Sequence, residues 1–332
     1  MAERAVGQHS LIDRLVSDVA PGNRFLEHVD RLVDWAAVGS IVAPLRAGAM
    51  GAPGYPALLL LKALLLQQWY GLSDPGLEEA LGDRLSFRRF LGAPLDQKMP
   101  DHATIWRFRE ALARTGLAEA AFGCVTAQIE AAGLLLKQGT LIDASLIPAA
   151  VNRPPPPRGD APIGADGTPE SRLVEHPLDP DAAWTKKDGR RHFGYKAHIG
   201  LDRHSRIVRR VILTPANVNE TSCADDLICG DERAVYADKA YDSQARREAL
   251  RARGIRNGIM RRWHWRWAPP SPWQTRRNTL LIARRAPIEP LFALLKSVYR
   301  FARARYRGLP RNNAALHLAA TAMNLKRWLQ IA

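Results

Sequence analysis

The C-terminal part of the chain is almost free of acidic residues. Between residues 251 and 332, eighteen lysines and arginines accompany a single acid, Glu289. The net charge of the whole chain is +15, so the excess lies in this segment. Most of the excess is arginine, whose planar guanidinium suits bidentate contact with phosphate. We therefore expect a polyanionic partner, most simply nucleic acid, and a solvated basic surface is the alternative.

Cysteine is scarce as well. The three cysteines, Cys124, Cys223 and Cys229, form no C-x-x-C motif. This excludes a disulfide framework and a cysteine–histidine zinc site, and it favours a reducing compartment with inert thiols.

No apolar run is long enough to cross a bilayer. The most apolar stretch, residues 57–66, is interrupted by Lys62 and falls short of the length that a membrane span needs. Residues 1–10 are polar and charged and do not resemble a signal peptide. The sequence predicts a protein that does not contact a membrane and lies in the cytoplasm, near the nucleoid.

Helical periodicity dominates the first part of the chain. It predicts an all-α domain over residues 1–135, with a central leucine-rich helix that ends near Gly71. Three short helices between residues 73 and 115 carry Arg107 and Arg109 beside an apolar stripe. Their spacing fits a helix-turn-helix reader of DNA, and it fits a small structural bundle equally well.

The pattern changes after Gly139 to strands that alternate with helices. We predict strands at 140–151, 193–202, 206–214, 234–238 and 258–262, and helices at 222–227, 243–254, 287–299 and 311–330. This order indicates an α/β domain over residues 136–332, with a mixed sheet and helices on its faces. Residues 152–183 are rich in proline and are predicted to form an exposed, mobile connection.

Three acids in this second domain have unusual positions. Asp143 lies inside an apolar strand, Asp238 follows a buried strand, and Glu289 begins a late helix. An acid inside a strand is unfavourable unless it is paired or binds a cation. Three carboxylates suit Mg²⁺, and two such ions about 4 Å apart promote displacement at phosphorus.

Each acid also has a simpler interpretation. Asp143 can pair with Lys196 on the next strand, and Asp238 can be a turn residue. Glu289 can complement a helix dipole and pair with Arg284 or Arg285. The residues alone leave these alternatives open.

Several long motifs resemble the DDE transposases of bacterial insertion sequences. They are GYPALLLLKALLLQQWYGLSDPGLEEAL, LSFRRFLG and PDHATIWRFRE in the first domain, and GTLIDA, FGYKAH, VILTPANVNE, ERAVYADKAYDS and RYRGLPRN in the second. The resemblance implies a helical N-terminal domain that binds DNA ends or dimerises. It also implies a ribonuclease-H-like catalytic domain that uses two Mg²⁺ ions, for which Mn²⁺ can substitute.

The family's catalytic triad falls on Asp143, Asp238 and Glu289, which the resemblance makes the metal ligands. Arg285 and Lys296 match the arginine and lysine that accompany the family's glutamate, while Ile282 replaces its tyrosine. The resemblance also implies a homodimer across two DNA ends.

Two prolines surround the glutamate of the triad, Pro287 and Pro290. They are tolerated if a helix starts at Pro287, because first-turn N–H groups have no helical partner. A helix that runs back through Leu280 must instead be interrupted here.

Basic and aromatic residues near the triad are predicted DNA contacts, since stacking and cationic contacts hold nucleic acid. They are Lys196, Lys239, Arg261, Arg262, Trp265, Arg266, Trp267, Arg303, Arg305 and Arg307. Packing of the tryptophans against the core is the alternative.

A transposase that cleaves element ends and joins them to target DNA is the leading hypothesis. A DNA-binding protein without transposition activity and a nuclease that only cuts are the alternatives. The intact set of three carboxylates argues against the first alternative.

Overall fold

The computed structural model describes residues 22–45, 54–152, 176, 178–187, 189–263 and 269–332. Two compact units are found. The described residues up to Ala132 form the helical unit together with Ala314–Ala332, and Gly133–Asn313 form the sheet unit. The end of the chain thus groups with the helices, whereas the sequence assigned all of 136–332 to one domain. The functions of the two domains remain predictions.

The helical unit is built from amphipathic helices around one apolar helix. Its helices are α1 Arg24–Leu32, α2 Trp35–Val42, α3 Ala57–Tyr70, α4 Asp74–Asp83, α5 Leu85–Leu91, α6 His102–Thr115 and α7 Leu117–Ala131, with a 3-10 turn at Ala43–Leu45. The side chains of α3 are buried on nearly every side, because its leucines leave no polar stripe for solvent. The helical N-terminal part is confirmed.

The short helices between residues 73 and 115 are held by a buried ion pair. The Arg109 guanidinium is buried and donates to Asp74 Oδ2 at 2.9 Å and to Gln67 Oε1 at 3.4 Å. Arg109 therefore stabilises the packing of α4 and α6. Arg107 and the half-exposed Trp106 remain at the surface of α6, so a DNA-reading function of these helices stays a prediction.

A mixed six-stranded sheet forms the centre of the sheet unit. Its strands are β1 Thr140–Pro148, β2 Ala183–Lys187, β3 Arg190–Asp202, β4 Val208–Pro215, β5 Ala234–Ala237 and β6 Arg256–Ile259. Their order is β2-β3-β1-β5-β6, and β4 pairs with β3. β1 is antiparallel to β3 and parallel to β5, which confirms the predicted mixed sheet.

Helices cover both faces of this sheet. They are α8 Gln244–Ala252, α9 Pro272–Arg285 and α10 Glu289–Ser297, with 3-10 turns at Glu220–Cys223, Lys239–Tyr241 and Ala286–Ile288. α11 Leu309–Ile331 follows, and from Ala314 onward it belongs to the helical unit. The predicted helix at 222–227 is reduced to the first of these turns. The strand β2 and the helix α9 were not predicted.

The two faces bury different residues, because side chains alternate along a strand. Ile142, Val235 and Ala237 pack on one face in a buried cluster that includes Leu250 of α8. Tyr236 projects to the opposite face, beside α9. There Arg277 donates to the carbonyl oxygens of Asn257 at 2.9 Å and Ile259 at 3.1 Å, which fixes α9 to β6.

The chain around Pro287 adopts the second of the two predicted geometries. α9 runs through Leu280 to Arg285, a 3-10 turn covers Ala286–Ile288, and α10 starts at Glu289. Pro287 lies in the first positions of this turn, where a backbone N–H has no partner within the turn, so its missing N–H is tolerated.

The proline-rich connection is shorter than predicted at its C-terminal end. Residues 153–175 lie outside the described residues. Asp179 is fully buried and accepts hydrogen bonds from the Tyr195 hydroxyl and from Gly308 N. Since Ala182 is buried too and β2 begins at Ala183, the end of the predicted mobile segment belongs to the folded unit.

Candidate active site

Asp143 lies in the middle of β1 and projects from the face that α9 covers. Its neighbour Ile142 belongs to the core cluster on the other face. Asp143 Oδ2 accepts a hydrogen bond from Arg285 Nη2 at 2.8 Å, and its Oδ1 accepts one from Ala144 N at 2.9 Å. Burial raises the pKa of Asp143, and the Arg285 charge opposes that rise.

Asp238 follows β5, the strand beside β1. The parallel register pairs Thr140 with Val235 and Leu141 with Tyr236. Continued by two residues, this register sets Asp238 beside Asp143. Asp238 Oδ1 also accepts a hydrogen bond from Lys239 N at 2.6 Å and caps the following turn. This register predicts that the two aspartates lie side by side near the carboxyl end of β5, where sites of α/β sheets gather.

Glu289 begins α10, four residues after Arg285. Its side chain is exposed, and no side chain in the described part of the protein pairs with its carboxylate. Arg206, which lies between β3 and β4, holds the preceding 3-10 turn in place. Its Nη1 donates a hydrogen bond to the carbonyl oxygen of Pro287 at 2.9 Å. The suggested pair with Arg285 is not formed, since Arg285 binds Asp143 instead.

The three carboxylates do not form a closed cluster. Across the described residues, one set of three His, Cys, Asp or Glu side chains has all its ligand atoms within 4.8 Å of one another, and it is Cys229, Asp231 and Glu232. At least one pair among Asp143, Asp238 and Glu289 is thus farther apart. Oxygen donors on two adjacent strands and a nearby helix still fit a hard divalent cation.

The two acids beside Cys229 are already paired with basic side chains. Arg209 is buried and its guanidinium donates to Asp231 and, at 3.0 Å, to Glu232. Lys137 Nζ lies 2.7 Å from Asp231. These charges lower the pKa of Asp231. Because two cations balance its two acids, this cluster is better explained as an ion-pair network than as a metal site.

Lys296 lies in the last turn of α10 and is half-buried. Burial and the charge of Lys187 lower its pKa. Lys187, in β2, also favours the charged form of Asp143 electrostatically. Lys187 was not among the predicted DNA contacts, although the sequence KKDGRR at 186–191 signals a basic turn.

Tyr241 is a second residue that sequence reasoning missed. It is fully buried, and its hydroxyl has no hydrogen-bond partner in the described structure. Burial raises its pKa first, and the charges of Glu220, Asp143 and Asp238 add to the shift. Its position in YADKAYDS, three residues after Asp238, is the signal that sequence analysis offers.

The predicted DNA contacts have different environments. Lys196 is buried, and its Nζ donates to the carbonyl oxygen of Val218 at 2.8 Å and lies 3.7 Å from Glu220. It is therefore held inside the sheet unit and pairs with Glu220 and not with Asp143. DNA contact by Lys196 remains a prediction. Lys239, beside Asp238, is exposed.

Arg261 and Arg262 are exposed and line a groove of about 1150 Å³ with Trp263. Their backbone is held by Asn278 and Asp242. Three predicted contacts in this region fall outside the described residues, namely Trp265, Arg266 and Trp267.

The arginines at 303–307 are only partly available. Arg303 donates to the carbonyl oxygens of Ala149 at 2.7 Å and Val151 at 3.0 Å, so it supports the end of β1. Arg305 is half-buried, and Arg307 is exposed. DNA contact by these residues remains a prediction.

Fold and site together define a class. A mixed α/β sheet carries one aspartate within its central strand β1 and a second directly after the adjacent strand β5, with helices that bring an arginine and a glutamate. This is the arrangement of a ribonuclease-H-like enzyme domain.

Comparison with family models agrees with that class. Residues 135–325 match the model described as "Transposase DDE domain", and residues 14–111 match "Transposase domain (DUF772)". The first match covers more than half of the chain, so the chain belongs to the DDE transposase family. The predicted family is confirmed, and with it a DNA substrate and an enzyme of the nuclease or transesterase type.

A bilayer-spanning helix is not found in the described part of the chain, because each helix there is too short or too polar.

Proposed function

We propose that this transposase cleaves DNA at the ends of its insertion sequence and joins the freed 3′-OH to target DNA. The observation that carries the proposal is the parallel pairing of β1 with β5, whose register, continued by two residues, aligns Asp143 with Asp238. The position of Glu289 in an otherwise acid-free basic segment supports it. A surface that binds phosphates tolerates a carboxylate best where a cation covers its charge.

Asp143, Asp238 and Glu289 are the residues that would hold two Mg²⁺ ions, for which Mn²⁺ can substitute. Bound Mg²⁺ supplies Lewis acidity and lowers the pKa of coordinated water. The donor set fits, because all three are carboxylates and the exposed Glu289 has no competing partner in the described structure. Arg285 would have to share or release Asp143 Oδ2.

The chemistry consists of two displacements at phosphorus. In the first, a water oxygen bonds to phosphorus, the bond from phosphorus to the 3′ oxygen breaks, and the leaving oxygen gains a proton. In the second, that 3′-OH attacks a target phosphodiester, loses its proton, and displaces the target 3′ oxygen. Each step forms one P–O bond and breaks one, so no oxidant or energy source is needed.

The basic residues hold the DNA for these steps. Lys296 and Lys239 lie close enough in sequence to the triad to contact phosphates that flank the reacting one. Arg261, Arg262 and Trp263 offer cationic and stacking contacts along their groove. The helical unit would bind the terminal inverted repeats, and Arg107 and Trp106 are exposed residues of α6 that would contact this DNA. A homodimer would join two ends.

Cleavage assays with matched variants test the proposal. The inverted repeats are read from the DNA that flanks the gene, and a labelled duplex with one end is incubated with protein and Mg²⁺. We expect Asp238→Asn to lose cleavage by at least 100-fold, the order of effect of removing one electrostatic group from such a site. Asp226→Asn is the control, because it removes an exposed acid of the same unit.

Three outcomes lead to different conclusions. Equal cleavage by Asp238→Asn and the unaltered protein would reject the assigned site. Cleavage without joining to added target DNA would indicate a nuclease that only cuts. Binding of the ends without any cleavage would indicate a DNA-binding protein that lacks the chemistry.

A further inference from the structure

A basic cleft opens beside the candidate active site, between the β2–β3 hairpin and α10. We call it the hairpin cleft. Its volume is about 560 Å³, and its polar lining residues are Ser145, Lys187, Arg190, His192 and Lys296. Ser145 lies two residues after Asp143 in β1, and Lys296 lies seven residues after Glu289. The hairpin cleft therefore adjoins the elements that carry the triad.

The hairpin register brings its basic residues into pairs. Lys187 is directly opposite Arg190, and Lys186 is directly opposite Arg191. Because neighbouring side chains in a strand project to opposite faces, the two pairs face different ways. Only the first pair lines the hairpin cleft.

The cations of the hairpin cleft form no ion pair with a carboxylate of the described residues, although the charge of Lys187 acts on Asp143. Burial lowers the pKa of Lys296, and repulsion by Lys187 lowers it further. In the described part of the chain no carboxylate pairs with Lys187, Arg190 or Lys296, and Asp188 in the turn lies outside that part. Like charges gathered in a concave site are stabilised when an anion enters.

We propose that the hairpin cleft binds a phosphate of the DNA strand whose cleavage occurs at the triad. The proposal rests on the proposed function, because it places this strand over Asp143. Arg190 can bind two phosphate oxygens at once, while Lys187 and Lys296 act as point charges. The hairpin is thus a clamp for the backbone of the reacting strand.

The distance along β1 indicates which phosphate is bound. Two strand residues, from Asp143 to Ser145, span about 6.6 Å. One DNA strand advances about 3.4 Å per nucleotide along its axis, and its phosphates are spaced more widely than that, so this distance corresponds to two nucleotides at most. The clamp therefore holds a phosphate within about two nucleotides of the cleaved bond.

Salt dependence of DNA binding tests the clamp. A fluorescein-labelled dT20 strand is titrated with protein in EDTA at several NaCl concentrations, so that no metal contributes. Lys187→Ala/Arg190→Ala removes two of the cations that contact the one bound phosphate. We expect the slope of log K against log[NaCl] to become shallower by about 0.7, since each phosphate neutralised on a single strand contributes about 0.7.

The hairpin supplies its own control. Lys186→Ala/Arg191→Ala removes the same charge from the same hairpin on the other face, and we expect the slope of the unaltered protein. Circular dichroism should show both double variants folded, since all four side chains are exposed. Equal slopes for the two double variants would overturn the clamp.

The position of the phosphate has a separate test. One neutral methylphosphonate is placed one or two nucleotides from the cleavage point of an element end, or five nucleotides from it as a control. At one of the two near positions it should weaken binding by the unaltered protein several-fold and leave binding by Lys187→Ala/Arg190→Ala unchanged. Equal weakening of both proteins would overturn the assigned position.

These binding tests are independent of catalysis. If the salt slopes differ as expected but no cleavage occurs with Mg²⁺, the clamp stands and the proposed function fails. If cleavage depends on Asp238 but the slopes are equal, the proposed function stands and the clamp fails.

Discussion

Arg285 Nη2 donates a hydrogen bond to Asp143 Oδ2 at 2.8 Å, across 142 positions of sequence. Both side chains are about four-fifths shielded from solvent. This pair joins the end of α9 to the central strand, and it supplies the positive charge that a half-buried carboxylate requires. It also makes Arg285 the competitor of any cation that binds Asp143.

Removal of Arg285 should destabilise the protein through Asp143. We expect Arg285→Ala to lower the free energy of unfolding by about 1.5–3 kcal/mol, the usual worth of a shielded hydrogen bond to a charged group. The loss should largely vanish in Arg285→Ala/Asp143→Asn, because a neutral amide needs no counter-charge. Urea denaturation in EDTA measures both.

Arg284→Ala is the matched control for that cycle. Arg284 is exposed and adjacent, so its loss should change stability by less than about 0.5 kcal/mol. An equal cost of Arg285→Ala in the presence and absence of the Asp143 carboxylate would contradict the pairing.

Several elements were predictable because their signals are local. Alternating apolar residues gave β3 and β4, and the leucine-rich run gave α3. Helix α9 was missed although Ser271 and Gln274 form a capping box, because its exposed face carries Leu280 and Ile282 and so hides the amphipathic pattern.

The site was predictable only in part. Asp143, Asp238 and Glu289 were identified from family motifs, and the strand register then explains why two of them meet. The pairing of Arg285 with Asp143 depends on where α9 lies, which no local pattern encodes. Burial of Lys196 against Val218 and Glu220 has the same cause, since tertiary packing decides which lysines remain at the surface.

Magnesium should stabilise the folded chain through the triad. A cation that binds only the folded state raises stability by RT ln(1 + [L]/Kd), and each kcal/mol raises Tm by about 2–4 °C for a unit of this size. We expect 10 mM Mg²⁺ at about 10–100 times its Kd to raise Tm by several degrees. Asp238→Asn should show no such increase.

The ion-pair network at Asp231 provides the comparison. Asp231→Asn should have a lower Tm, because it loses contacts with Arg209 and Lys137, but the increase caused by Mg²⁺ should persist. If Asp231→Asn loses the increase and Asp238→Asn retains it, the metal binds at Cys229, Asp231 and Glu232 instead.

His198 should make stability depend on pH. Its ring is buried, bonds Thr214 Oγ1 at 2.9 Å, and has a pKa lowered to about 4 by burial and by Lys196. The unfolded chain therefore takes up this proton first, so the stability contribution is complete above pH 6.5 and is lost as pH falls toward 4. The integrated loss is roughly 3 kcal/mol.

His198→Gln should remove that part of the pH dependence. The difference in unfolding free energy between variant and unaltered protein should change by roughly 3 kcal/mol between pH 7 and pH 4. His204→Gln, at an exposed histidine, should give a difference that does not change with pH. A constant difference for His198→Gln would mean that the ring is not neutral in the folded protein.

Gly194, which pairs with Pro148 at the end of β1, should tolerate no side chain. Its φ is +152°, and a Cβ there would lie 2.3 Å from Ile147 O and 2.5 Å from Ala149 N. The first is a backbone atom of β1, the strand that carries Asp143, and the second follows its last residue, so relief requires the end of β1 to move. We expect Gly194→Ala to lower the free energy of unfolding by about 3 kcal/mol or more, from overpacking and backbone strain together.

Gly189→Ala separates the two causes. Gly189 has φ +76° with open space around it, so its substitution should lower the free energy of unfolding by only about 1 kcal/mol. Equal costs for the two substitutions, measured by urea denaturation, would show that backbone conformation and not the approach of the strands makes glycine necessary at position 194.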